Sequence, residues 1–134
     1  MSGVTNLLTL LRNMRPVLHP DEFCFCTLPG DDLAACLALN PLGVFREAEG
    51  LSLILSRKTA EHAGLACSSP MRAITLSVHS SLEAVGLTAA VAAKLTEKGI
   101  SANVVAAYHH DHVFVPAARA DDALAALVSL QIGS

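Results

Sequence analysis

Apolar positions fall into short runs whose spacing changes along the chain. Between Thr5 and Met14, Leu7, Leu8, Leu11 and Met14 share one helical face, and Pro16 stops that helix. Glu22 to Leu28 is rich in aromatic and strand-favouring residues and ends at Pro29-Gly30, which predicts a strand. A short helix from Asp31 to Leu39 follows, ended by Asn40-Pro41. Val44-Phe45-Arg46 and Leu51 to Leu55 then read as two strands about a tight polar turn through Gly50. Arg57 to Ala63 is a second short helix, closed by Gly64.

The second half repeats this order. In Ala73 to Val78, Ile74, Leu76 and Val78 alternate with Thr75 and Ser77, the period of a half-buried strand. Leu87 to Lys98 is a helix with Leu87, Val91 and Leu95 on one stripe, stopped by Gly99. Asn103 to Tyr108 is a strand, His109-His110-Asp111 turns the chain, and Val113-Phe114-Val115 returns antiparallel. Arg119 to Leu130 closes as a helix with Ala123, Leu124, Leu127 and Leu130 on one face.

A shift of sixty positions lays Leu53-Ile54-Leu55 over Val113-Phe114-Val115, Ala60-Glu61 over Ala120-Asp121, and Ala63 over Ala123. A repeated strand–helix–strand–strand–helix order predicts an α+β fold: tandem ferredoxin-like units with antiparallel sheets and helices on one face. The linear division is 1–68, with a leading helix, and 69–134. Six strands are evident where two complete four-strand units need eight, so the halves are expected to complete one another's sheets.

The run from Ser80 to Ala89 (SSLEAVGLTA), then Gly99-Ile100-Ser101 and Tyr108 to Pro116 (YHHDHVFVP), resemble the ACT-domain group. More narrowly, they are similar to small bacterial tandem-ACT proteins related to aspartokinase regulatory regions, and to the cytosolic arginine sensors. The resemblance covers Ser80 to Leu127 with specific positions, and the first half more weakly through Phe45 to Leu51. It implies βαββαβ modules that bind amino acids or other small effectors, commonly between paired modules.

Composition narrows the function classes. Apolar residues are 52% and charged residues 16%, which excludes a disordered chain. A net charge of -3 without a basic patch speaks against nucleic acid as a partner. A mean hydropathy of +0.49 raises a membrane question. The uncharged stretches Leu33 to Phe45 and Ala84 to Ala93 fall short of the about 20 residues a spanning helix needs, so no membrane partner is expected. Arg12 and Arg15 interrupt the first apolar run and no basic segment precedes it, which makes a poor signal peptide. Cys24, Cys26, Cys36 and Cys67 are too irregular for a disulfide framework. Cys24 and Cys26 are expected on one face of a strand, as buried small hydrophobes or as half of a thiolate metal site. Four free thiols suit the reducing cytoplasm, the expected location.

Two segments carry candidate chemistry. His79 to Thr88 joins the end of a strand to the start of a helix, where unpaired N–H groups and the dipole attract anions. Gly86 would admit a ligand to the backbone, and the Ser80 and Ser81 hydroxyls would add partners for a carboxylate. The alternative there is an ordinary helix entry, since Ser80-x-x-Glu83 has capping-box spacing. His109-His110-Asp111-His112 is the most polar point of the chain: a solvated turn, a metal chelate, or a ligand contact. The resemblance sets Asp111 where the arginine sensors carry an acidic residue that holds their ligand. The expected ligand-binding residues are thus Ser80, Ser81, Glu83, Val85, Gly86, Leu87, Thr88, Tyr108, His109, His110 and Asp111, with no metal, cofactor or catalytic residue. No nucleophile–base constellation and no phosphate-binding glycine loop occurs. The expected function is a non-catalytic amino-acid sensor acting through self-association as a homodimer. Its rival is a structural or protein-interaction module with a vestigial pocket. Glu22 to Leu28 and Asn103 to Ala107 are apolar on both faces, which predicts a second sheet packed there.

Overall fold

The computed structural model describes residues 6–78 and 86–131. Along the chain lie α1 (Leu7–Arg12), β1 (Pro16–Leu28), α2 (Leu33–Leu37), β2 (Gly43–Glu47), β3 (Gly50–Ser56), α3 (Arg57–Ala63) and β4 (Ala66–Cys67). Then follow β5 (Met71–Leu76), α4 (Leu87–Glu97), β6 (Asn103–Ala106), β7 (Asp111–Pro116), a 3-10 turn (Ala117–Arg119) and α5 (Ala120–Gln131). The chain divides into two compact units, Asp21–Met71 and Met1–Pro20 with Arg72–Ser134. The cuts fall at 20/21 and 71/72, whereas the linear division from the repeat falls at 68/69. The reason is β1, whose first residues serve one unit and whose remainder serves the other.

The Asp21–Met71 unit has the order β1-α2-β2-β3-α3-β4, with β3 between β2 and β1, and β4 also on β1. All of these pairings are antiparallel. Register sets Cys24 beside Leu55, Cys26 beside Leu53 and Leu28 beside Leu51. Those side chains share one face, and with Cys36 of α2 and Ala60 of α3 they form the unit's core. Asp32 caps α2 by accepting from Ala35 N–H at 3.0 Å, and Ser56 caps α3 by accepting from Thr59 N–H at 3.2 Å. Gly64 ends α3 at φ 67, the left-handed conformation expected of it.

The other unit places its strands in the order β1-β5-β7-β6. Its fourth strand is the Pro16–Pro20 part of β1, so the N-terminal segment completes the sheet built by the C-terminal half. Leu10 and Met14, Ile74 and Leu76, Val91 and Leu95, Val113 and Val115, and Ala123 and Leu127 are buried together in one core. No buried residue among those described is polar or charged.

Most expected elements form within a few residues of their predicted ends. Seven strands are present where six were evident, because β4 is two exposed residues without apolar alternation. β1 also begins six residues early: Pro16 reads as the stop of the first helix, yet it opens the strand, a position that needs no ladder donor. Asp111, expected in the turn, is the first residue of β7 and pairs with Ala106. It is half-buried, not exposed at a tip, because the turn is confined to residues 107–110 and closed by Ala107 N–H donating to His110 C=O at 3.1 Å. Phe23 and Phe25 of β1, and Val104 and Val105 of β6, are each half-buried.

Candidate functional site

The 107–110 turn lies at the end of the unit where β5, which precedes the first candidate segment, finishes. Thr75 Oγ1 stands 2.9 Å from His112 Nδ1, which sets the C-terminal part of β5 level with the start of β7. Because β6 and β7 are antiparallel, the 107–110 turn lies at the end from which β5 hands the chain on to α4. Ser80, Ser81, Glu83 and Val85 lie outside the described residues, as does the capping-box spacing.

The remaining predicted residues divide by role. Gly86, which has no side chain with which to cap, is the N-cap of α4 at φ 103. A Cβ there would lie 3.2 Å from Leu7 Cδ2. Two structural demands for glycine thus stand beside the expected one, room for a ligand: a backbone that L-residues rarely adopt, and the packing of Leu7. Leu87 is in the core with Val91 and Leu95, so only its backbone is left to meet a ligand. Thr88 is exposed on the first turn of α4. Tyr108 is 65% exposed and meets the His109 ring edge-on, with centroids 5.1 Å apart. His110 is half-buried, and its Nδ1 is shielded from solvent without a hydrogen-bond partner among the described residues. Burial pushes the Asp111 carboxyl above its ordinary range, against the lowering effect of His112 and His110.

Sequence reasoning missed a hydrogen-bonded line across this sheet. Thr75 Oγ1 lies 2.7 Å from His19 Nε2 as well as 2.9 Å from His112 Nδ1. A hydroxyl between two neutral imidazoles donates to one ring and accepts an N–H from the other, which couples the two tautomers. Arg72 Nε and Nη2 also donate to the His19 carbonyl, at 3.0 and 2.9 Å. β1, β5 and β7 are thereby joined through side chains as well as through their ladders. Burial, then His110 and His19, lower the His112 pKa, while Asp111 opposes them. The available signal was Thr75 at a polar position of an alternating strand; His19 gave none, since it sits between two prolines' worth of apparent loop.

The cysteines correct another expectation. Cys26 and Cys67 form a disulfide, and only Cys24 and Cys36 are free thiols, both buried. The sequence hides this pair because β4 is too short to predict, and only its pairing with β1 brings Cys67 opposite Cys26. Beside the bond lies a cavity of about 300 Å³ between α3 and the Gly64–Pro70 stretch, with Cys24 in its lining. At its rim Arg57 pairs with Glu22 at 2.7 Å and Glu61 at 3.4 Å. Among the described residues no group of three or more His, Cys, Asp or Glu could hold a metal ion, and no helix is long and apolar enough to cross a membrane.

An ACT-domain model matches residues 2–72, and a second ACT-domain model matches residues 68–129. The chain belongs to the ACT-domain family. Its tandem ACT units are the ferredoxin-like arrangement of β-strands and helices described above, with antiparallel sheets. The Vibrio cholerae protein VC0802, described as of unknown function and a possible transport protein, is 50% identical, with a TM-score of 0.85. That match covers 93% of this chain and 95% of the other. The regulatory subunit of aspartate kinase from Thermus flavus shares the fold at 12% identity and a TM-score of 0.64, over 86% of this chain and 95% of its own. E. coli aspartokinase III, solved in complex with aspartate and ADP, matches at 13% identity and a TM-score of 0.64. It is covered over 33% of its length by 87% of this ACT-domain chain. No curated protein matches.

Proposed function

We propose that this ACT-domain chain is a non-catalytic cytoplasmic regulator that binds an amino acid and reports it through self-association as a homodimer. The observation that carries this reading is the tandem of ACT matches over residues 2–129. ACT modules commonly bind small effectors; one protein of like fold is the regulatory subunit of an aspartate kinase, and another match covers a third of an aspartokinase solved with aspartate and ADP. The site we propose is the end of the unit where Gly86, Leu87 and Thr88 begin α4 and Tyr108 to Asp111 lead into β7, with Ser80, Ser81, Glu83 and Val85 in the connecting segment. Gly86, the N-cap of α4, has no side chain of its own to occupy the first backbone N–H groups, which suits a carboxylate placed there. Asp111 would balance the ligand's cationic end, and its half-buried position strengthens such a contact.

A thermal-shift screen over the twenty amino acids tests the reading. A ligand at 100 times its Kd stabilises the protein by about 2.7 kcal/mol. Asp111→Asn is expected to weaken binding of the ligand so found by about 10- to 150-fold, the loss of one charge-assisted contact. Light scattering with and without that ligand reads self-association. A flat screen would favour the structural module with a vestigial pocket.

A further inference from the structure

We propose that the Cys26–Cys67 pair is a reversible thiol-exchange site for a dithiol reductant, and that its state gates the cavity of the Asp21–Met71 unit. This goes beyond the regulatory reading and shares with it only the proposed cytoplasmic location. The two cysteines are direct register partners on β1 and β4, with Cα atoms 4.1 Å apart. The sheet itself therefore holds the two cysteines side by side. β4 is only two residues long. Apart from its ladder, the stretch is held to β1 by Ser68 N–H donating to Phe25 C=O at 2.8 Å and by Phe25 N–H donating to Ser68 Oγ at 3.0 Å. One wall of the cavity, including Leu65, Cys67, Ser68 and Pro70, belongs to this tether; Cys24 and Ala60 belong to the opposite wall. The disulfide thus pins one wall to the other, and a two-residue strand is a weak anchor without it.

Accessibility sets the order of the chemistry. Cys67 is exposed while Cys26 is buried, so a thiolate of the dithiol attacks Cys67 Sγ. The Cys26–Cys67 bond breaks, a mixed disulfide forms at Cys67, and Cys26 leaves as a thiolate that takes a proton. The reductant's second thiolate then attacks its own sulfur in the mixed disulfide. Cys67 leaves as the second thiol, and the reductant departs as a disulfide. Two electrons and two protons pass from the dithiol to the pair. Disulfides in a reducing compartment are characteristically transient or redox-sensing.

Two further thiols report the gate. Cys24 is buried and faces the cavity, so it is reachable once the tether moves. Burial also pushes its pKa up, against Arg57, which keeps it a protonated, slow-reacting thiol while the gate is closed. Cys36 is buried in the same core and lies off the cavity lining, which makes it the control.

The experiment is alkylation of the native full chain by iodoacetamide, mapped by mass spectrometry, with and without dithiothreitol. Without reductant, Cys26 and Cys67 are expected unmodified and joined in one cross-linked peptide. With it, both are modified, Cys24 reacts about tenfold faster or more, and Cys36 is unchanged. Cys67→Ser should give the fast Cys24 without reductant, and glutathione disulfide should restore protection to the reduced parent. Ready alkylation of Cys26 and Cys67 before reduction would overturn the proposal. So would a Cys24 rate indifferent to reduction, equal acceleration of Cys24 and Cys36, or failure to reoxidise.

Discussion

Leu7 of α1 packs its Cδ2 3.2 Å from the point where a Cβ on Gly86 would sit, while Gly86 itself holds φ 103. The N-terminal helix therefore depends on a glycine almost eighty residues further along. Gly86→Ala is expected to destabilise the fold by about 1–3 kcal/mol, through backbone strain and through this contact. Adding Leu7→Ala should recover only the contact part. Denaturant melts of the two single variants and the double variant measure the split, and full additivity would show that Leu7 is not involved.

Asp111 titrates upward in the fold, because burial disfavours its charge. Between the unfolded value of 3.8 and the higher folded value, the native state binds more protons, so stability falls as pH rises through that window. At neutral pH the charge is a net cost to folding. Asp111→Asn should thus stabilise the free protein slightly, by about 0.5 kcal/mol or less, while weakening the ligand. Melts at pH 7 together with calorimetry would separate the two, and a clear loss of stability would contradict the burial argument.

His112 behaves in the opposite sense. Its folded pKa lies below the unfolded 6.5, so the stability of the neutral ring is fully present above 6.5 and is lost as pH falls through the folded value. The Tm is expected to drop as pH is lowered from 7.5 through 6, less steeply in His112→Gln.

Ser56 Oγ accepts from Thr59 N–H at 3.2 Å and donates to Thr59 Oγ1 at 2.9 Å. Ser56→Ala should cost about 1 kcal/mol by urea melts, the usual loss of an N-cap. Leu127, wholly buried in the core of the other unit, should cost about 2–5 kcal/mol when truncated to Ala. A smaller loss at Leu127 than at Ser56 would mean that the core assignment is mistaken.

Local signals were legible wherever they were strong. Arg57 to Ala63 forms the expected helix to the residue, because Ser56 caps it and Gly64 ends it within one turn each. The sixty-residue offset survives as β3 and α3 against β7 and α5. What stayed hidden depends on distant partners. His19 acquires its role only when β1 lies beside β5, and Cys67 only when β4 lies beside β1. Asp111 was recognised as a candidate but placed in the turn, since polar residues alone do not say where a hairpin stops pairing. The ACT family was legible from motif positions, whereas the conformational demand on Gly86 needed the packed position of Leu7.

The division of β1 has a consequence for the order in which the protein can be made. The Pro16–Pro20 stretch leaves the ribosome more than fifty residues ahead of β5, its neighbour in the sheet. The contiguous Asp21–Met71 segment can close its own sheet first, while the opening helix and strand wait with their apolar faces uncovered. Fusions or chaperone-binding tags at the N-terminus would act on a segment that stays unpaired through much of synthesis, whereas the same tags at the C-terminus would meet a protein already assembling.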